Sequence, residues 1–278
     1  MKLAVLSGKG GAGKTFVATN LVNIIKDAVY VDCDVEEPNG HLFLKPTITQ
    51  EIPIYKMLPS FDPKKCTGCR ACVDFCKFNA LLYLVNRPIL FPDVCHSCKG
   101  CMLVCKEHAI TSIEKEIGKI QIGEGMKKTT ITGILHPGEA SGIPIIKEAI
   151  HQAELRSDTI VLDCPPGSAC SVMETIEDAN YCILVVEPTA FGFHNFQMVY
   201  ELVTLLHKPC GIVINKEEAP YEPLLNFVDK AQLPILARIP YQRETASKSA
   251  QGELITSIDP NMHTLFEALY KQIKERAV

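Results

Sequence analysis

The sequence predicts an α/β fold: a mostly parallel, doubly wound sheet interrupted by a small α+β insert. Three observations carry this. Short apolar runs alternate with stretches of helical periodicity. A glycine-rich segment, residues 8–15, separates the first apolar run from the first helical stretch. Between about residues 60 and 113 the pattern gives way to short turns and eight regularly spaced cysteines.

Taken in order, Lys2–Leu6 is a buried strand, and Lys14–Lys26 is a helix with Phe16, Val17, Leu21, Ile24 and Ile25 at helical spacing. Ala28–Val31 is the next strand, ending at Asp32-Cys33-Asp34, so the opening is a βαβ crossover. The pattern resumes with strands at Thr130–Leu135, Thr159–Leu162, Tyr181–Val186, Gly211–Ile214 and Ile235–Ala237. Helices are expected at Pro144–Leu155, His194–His207, Tyr221–Ala231 and Asn261–Arg276. Alternation of this kind implies a parallel sheet covered on both faces. Ile113–Ile122 alternates apolar and polar residues around Gly118 and reads as a hairpin on the way back from the insert. The domain expectation is therefore a discontinuous body, 1–59 and 114–278, with an inserted unit at 60–113.

A chain of 278 residues that is 47% hydrophobic can build one large core plus a small insert. A net charge of −4 gives no reason to expect nucleic acid as a partner. No run of 18 apolar residues exists, which argues against a membrane span. The first residues lead directly into the glycine-rich segment instead of a secretory signal. Thirteen cysteines in such a chain point to metal ligation in a reducing cytoplasm, not to disulfides. The terminal helix carries Leu265, Phe266, Leu269 and Ile273 on one face and Lys271, Lys274 and Arg276 near its end. Packing on its own domain is the expected use of that face, and no stable membrane association is expected.

Gly8-Lys9-Gly10-Gly11-Ala12-Gly13-Lys14-Thr15 is a phosphate-binding loop. Its glycines let backbone N–H groups converge on phosphate oxygens. Lys14 supplies a point charge to the β- and γ-phosphates, and Thr15 offers a hydroxyl to Mg²⁺.

With Lys9 included, this loop resembles the deviant Walker A motif of the MinD/Mrp/ParA and nitrogenase iron-protein class. The resemblance implies a P-loop ATPase fold, ATP and ADP as ligands, and a nucleotide-sandwich dimer, with itself or with a paralogue. Lys9 would then reach across the dimer to the partner's phosphates. By the same resemblance Asp34 orients the attacking water and Asp32 supports Mg²⁺-bound waters. Val161-Leu162-Asp163-Cys164-Pro165-Pro166-Gly167 looks like the family's Walker B and second switch; it brings Asp163 to the Mg²⁺ shell and Gly167 to the γ-phosphate. Ile212-Val213-Ile214-Asn215-Lys216 matches the adenine-side segment, and Ile239-Pro240-Tyr241 the loop closing the other side of the base. Phe16 completes the expected nucleotide site. Glu187-Pro188-Thr189 ends a strand and receives no role.

Cys66, Cys69, Cys72 and Cys76 form one C-x2-C-x2-C-x3-C run, and Cys95, Cys98, Cys101 and Cys105 form another 29 residues on. The spacing reads as a two-cluster ferredoxin with two [4Fe–4S] clusters, the fourth cysteine of each run serving the other cluster. Cys66, Cys69, Cys72 and Cys105 are therefore one ligand set, and Cys95, Cys98, Cys101 and Cys76 the other. Lys77 and Lys106 stand where the bacterial run has proline, which weakens the turn signal and leaves the ligand count intact. Zinc is the rival metal, because CxxC pairs also bind it. Cys182 and Cys210 read as core residues, Cys33 and Cys164 as switch-segment residues. Cys170 follows Asp163 by an offset similar to that of a cluster ligand in the nitrogenase iron protein. The companion region His136–Pro144 has no cysteine, so no bridging cluster is expected.

The whole chain resembles MinD-superfamily ATPases containing an inserted ferredoxin unit. Three functions follow as expectations. The first is an ATP-gated electron carrier acting on a protein partner. The second is a factor that assembles iron–sulfur or metal clusters or delivers them to an accepting protein. The third is a MinD-like spatial regulator with structural clusters.

Overall fold

The computed structural model describes residues 1–277. From the N-terminus, β1 (Lys2–Ser7), α1 (Lys14–Ile24), β2 (Val29–Asp32) and α2 (His41–Leu44) lead into the 15-residue strand β3 (Thr47–Phe61). The chain then forms α3 (Ala71–Phe75), β4 (Leu81–Leu84), β5 (Arg87–Leu90) and α4 (Gly100–Leu103). It returns on the 16-residue β6 (Ile110–Gly125) and continues through β7 (Lys128–Leu135), α5 (Ile143–Glu154), β8 (Ile160–Asp163), α6 (Cys170–Ile176) and β9 (Tyr181–Val186). The remainder is α7 (Ala190–Leu205), β10 (Cys210–Glu217), α8 (Glu222–Lys230), β11 (Ile235–Pro240), α9 (Arg243–Ala250), α10 (Ile255–Ile258) and α11 (Pro260–Arg276).

Nine strands make one sheet in the order β11-β10-β9-β1-β8-β2-β7-β6-β3. The seven strands from β11 to β7 run parallel, and β6 and β3 extend the edge antiparallel. β1, β2, β8 and β9 are almost wholly buried, which is why they read as continuous apolar runs and not as alternating ones. One face is covered by residues such as Ile146, Val172, Phe196 and Leu224, the other by Val17, Leu21 and the α11 stripe. In α11, Met262, Phe266, Leu269 and Ile273 are buried against the sheet, each side chain stabilising by about 1.5–3 kcal/mol. The apolar face of the terminal helix is thus consumed by its own domain. Among the described residues no helix is long and apolar enough to cross a membrane.

The expected hairpin around Gly118 is wrong. Residues 110–125 are one strand, and the reversal comes later, at Met126 and Lys127, both with positive φ. Around Gly118 the β3–β6 register slips: Ile54 faces Gly118 but Tyr55 faces Glu116. A bulge breaks the alternation there, and in sequence that break imitates a turn. Gly118 serves a close approach instead, since a Cβ would stand 2.1 Å from the Ile134 carbonyl oxygen. β3 itself was not anticipated; its two prolines and mixed polar and apolar composition hide its strand character.

Residues 62–109 hang from the ends of β3 and β6 and repeat internally. Left-handed backbone recurs at Gly68 and Ser97, at Arg70 and Lys99, and at Asn79 and His108. Each pair is separated by the same 29 residues as the cysteine runs. The hydrogen bonds repeat as well: Asp62 N–H donates to the Ala109 carbonyl and Phe91 N–H to the Ala80 carbonyl, both at 2.8 Å. Cysteine spacing and backbone conformation therefore share one internal symmetry.

Candidate functional site

The phosphate loop joins the buried strand β1 to α1, and Gly13, in left-handed conformation, starts the helix. Two glycines are dictated by crowding. A Cβ on Gly8 would stand 2.2 Å from the Asn195 carbonyl oxygen, and one on Gly13 would stand 2.0 Å from the Asn215 amide nitrogen. Gly10 and Gly11 face open space, as backbone meant to approach a ligand must. Ala12 is buried.

The end of Lys14 meets two carboxylates, Asp163 at the end of β8 and Asp34 just beyond β2. Its Nζ lies 2.7 Å from Asp163 Oδ1 and 3.7 Å from Asp34 Oδ2. The phenol of Tyr30 donates to Asp163 Oδ2 at 2.7 Å. Asp32 and Asp163 are fully buried neighbours in register on adjacent strands. Burial pushes Asp32 up to about 7, with the Asp163 charge adding to the rise. Burial opposes the charge of Lys14, but the carboxylates, Asp163 foremost, win and hold it above its ordinary value. Asp34 is also raised, chiefly by burial. This is a surplus of negative charge at a strand-end cleft, suited to a divalent cation.

Asp32 has a definite local task. Its carboxylate accepts from the backbone N–H groups of Asp34, Asn39 and Gly40 at 3.2, 3.0 and 2.8 Å. It anchors the loop 34–40 that presents Asp34, in addition to any part it plays for Mg²⁺ waters. Across the cleft, Gly167 has a φ of 87° and donates its N–H to the Ser7 carbonyl. Thr15 begins α1 beside Lys14.

On the other flank of α1 a cavity of about 160 Å³ is lined by Gly13, Phe16, Asn215, Lys216, Pro240 and Tyr241, together with Gln242 and Thr245 of the α9 region. Asn215 donates to the Ala12 carbonyl and Lys216 to the Gly11 carbonyl, at 2.8 and 2.7 Å. All the residues expected at the base side therefore converge. Gln242 and Thr245 were not anticipated, because nothing in a polar surface helix marks them. Tyr30 was also missed. A tyrosine inside a buried aliphatic strand needs a partner for its hydroxyl, and that signal was available.

Lys9 pairs with Glu187. Its Nζ lies 2.7 Å from Glu187 Oε2 and 5.2 Å from the centre of the Phe191 ring. Glu187, which the sequence left without a role, is thus the ion-pair partner of Lys9.

The eight cysteines between residues 66 and 105 fall around two cavities. One is lined by Cys66, Cys69, Cys72 and Cys105, the other by Cys76, Cys95, Cys98 and Cys101. Each cavity takes three cysteines from one run and the fourth from the other. Burial and neighbouring thiols raise Cys101 to about 11; burial also raises Cys72, with Cys105 and Cys66 contributing. Among the described residues no three His, Cys, Asp or Glu side chains form a site for a metal ion. Cys33, Cys164 and Cys182 are buried, Cys210 is half-buried, and Cys170 is exposed at the start of α6.

The sheet order and the loop at the end of β1 define a nucleotide-binding α/β domain of the MinD/ParA type. The profile of the CobQ/CobB/MinD/ParA nucleotide-binding domain matches residues 3–255, and the chain belongs to that family. An uncharacterized protein of Methanocaldococcus jannaschii, MJ0578, is 31% identical over 99% of this chain and 97% of its own length. An uncharacterized ATP-binding protein of the same organism, MJ0823, is 24% identical over 98% of this chain and 97% of its own. Among solved structures, the septum site-determining protein MinD of Pyrococcus horikoshii, complexed with Mg-ADP, superposes with a TM-score of 0.60 at 17% identity. That alignment covers 98% of this chain and 95% of the other, and it establishes the shared fold.

Proposed function

We propose that this chain binds and hydrolyses ATP as a sandwich dimer and carries two [4Fe–4S] clusters, serving as an ATP-gated electron carrier for a protein partner. The observation that carries the reading is the division of the eight cysteines between two cavities, each completed by a cysteine of the opposite run. Soft thiols in sets of four suit iron–sulfur clusters, and a cubane spreads its thiolates over separate irons where a lone ion gathers them tightly. Cys66, Cys69, Cys72 and Cys105 would hold one cluster, and Cys76, Cys95, Cys98 and Cys101 the other. When bound, the clusters supply one-electron transfer. We read residues 60–113 as the cluster-bearing unit of a discontinuous ATPase domain, 1–59 and 114–278.

On the nucleotide side, Lys14 would exchange Asp163 for the β- and γ-phosphates, and Asp163 and Thr15 would hold Mg²⁺, which when bound supplies charge stabilisation to the transferring phosphoryl group. Asp34, held by the Asp32-anchored loop, orients water. Gly167 and the exposed amides at Gly10 and Gly11 face the phosphates. Asn215, Lys216, Phe16 and Pro240 hold the base. The bound nucleotide of the Pyrococcus MinD structure and the ATP-binding relative support the ligand class. The likeness to MinD also favours a second reading, a spatial regulator whose clusters are structural.

The test is anaerobic purification followed by iron analysis, absorbance near 400 nm and reductant-to-acceptor electron transfer with and without MgATP. About eight irons per chain and ATP-dependent transfer are expected. Stoichiometric zinc without iron would end the cluster reading. Transfer indifferent to ATP, together with ATP-dependent liposome binding, would favour the regulator.

A further inference from the structure

Between the nucleotide cleft and the Cys95–Cys101 run lies a partly buried charge cluster that no part of the ATP chemistry uses. Glu139 sits in the loop 136–142 that joins β7 to α5, and only 5% of its side chain is exposed. One carboxylate oxygen receives Lys56 Nζ of β3 at 2.5 Å, the other Lys115 Nζ of β6 at 2.7 Å. Both lysines reach on into the insert. Lys56 donates to the Pro92 carbonyl at 3.0 Å, and Lys115 reaches Asp93 Oδ1 at 3.1 Å. Pro92 and Asp93 immediately precede Val94 and Cys95.

The other end of the same loop is tied to the segment that presents Asp34. The carbonyl of Val35 accepts from Leu135 N–H at 2.8 Å. The Val35 side chain is wedged between Gly133 and Gly142. A Cβ on either glycine would stand 2.6 or 2.3 Å from a Val35 methyl. Contact this tight means the loop cannot ignore a displacement of Val35, the residue next to Asp34. Around the ion pairs the seam is open: a cleft of about 380 Å³ is lined by Lys56, Cys95, His96, Lys99 and Ser141. Charge, rather than dense packing, fastens the insert at this point.

We infer that Glu139 is the positioning residue through which the nucleotide state of the Asp34 segment reaches the Cys95–Cys101 cluster site. The inference rests on the ATP-gated cluster reading and names its route: Val35, the loop 136–142, Glu139, the two lysines, then residues 92–95. Burial opposes ionisation of Glu139, but the hydrogen bonds from Lys115 and Lys56 prevail and keep its carboxyl below the usual range.

The test is anaerobic hydrogen exchange of peptides spanning residues 92–98, with MgADP and with a non-hydrolysable ATP analogue plus Mg²⁺. In the wild type the two nucleotides should give exchange rates differing by roughly fivefold or more. Glu139→Gln should bind both nucleotides and retain its iron, yet lose that difference. Lys56→Met should lose it too, and serves if Glu139→Gln fails to fold. Lys99→Gln, which lines the same cleft outside the route, should keep it. A merely structural Glu139 would speed exchange equally in both nucleotide states and preserve the ratio, which would overturn the inference. So would an unresponsive wild type that demonstrably binds the analogue. Iron content is measured separately: protein without iron defeats the cluster reading, while the exchange ratio still judges the route.

Discussion

Replacing Glu187 by glutamine should strengthen ATP-dependent dimerisation. Lys9 rests on Glu187 at 2.7 Å, with about a fifth of each side chain exposed, and it also lies over Phe191. If Lys9 must cross to the partner's phosphates, that resting contact has to break first. A partly exposed ion pair contributes about 0.5–1 kcal/mol. Glutamine keeps the shape and a hydrogen bond but removes the charge. A sandwich dimer breaks two such contacts, so the association constant should rise by about 1–2 kcal/mol, or roughly fivefold to thirtyfold. Sedimentation equilibrium with a non-hydrolysable ATP analogue measures this directly, and the gain should shrink as salt screens the wild-type pair. Lys9→Ala should abolish nucleotide-dependent association altogether. Unchanged or weaker association of Glu187→Gln would refute the idea that Glu187 restrains Lys9.

Three further outcomes are expected. Tyr30→Phe removes a buried donor from the Asp163 carboxylate and should cost about 1.5–3 kcal/mol, seen as a drop of several degrees in the Tm of nucleotide-free protein; an unchanged Tm would show the bond to be dispensable. Crossed ligation separates two double variants: Cys66→Ala with Cys105→Ala should leave one intact cluster and about four irons, whereas Cys66→Ala with Cys76→Ala should leave neither cluster fully ligated. The opposite ranking would mean that each run holds its own cluster. Finally, Asp32 is raised to about 7, so the folded state holds this proton over a range where the unfolded chain has released it. Through this group the protein in EDTA should lose stability as pH rises from about 4 to about 7, and Mg-ADP should flatten the decline; equal slopes with and without Mg-ADP would argue against a cation relieving this carboxylate cluster.

Much of the site was legible because its chemistry is local. The glycines, Lys14 and Thr15 lie in one loop, and backbone geometry alone dictates what they do. Asn215 and Pro240 were expected from likeness to the family's base-side segments, and the parallel sheet brings those two strand ends to one cavity. The two cysteine runs were legible from their spacing, and the expected crossing of each fourth cysteine matches the division of the thiols between two cavities. Long-range partners of single polar residues left no such mark. Tyr30 could be suspected of needing a partner but not of choosing Asp163. Glu187 sat in a noted strand-end motif, and only the fold shows that Lys9 rests on it. The bulge at Gly118 was misread because a break in alternation looks the same whether the strand turns or slips.

The sequence by itself determined the class of domain, the nucleotide loop and the inventory of thiols, since each depends on residues close together along the chain. The tertiary structure decided how these parts face one another. It extended the parallel sheet with two long antiparallel strands, placed the cysteine-rich segment at their ends, divided the thiols between two cavities, and set Glu139 between Lys56 and Lys115. Those relations depend on which strand lies at the edge and in what register. They are set by packing summed over the whole core, a sum that no short stretch of residues contains.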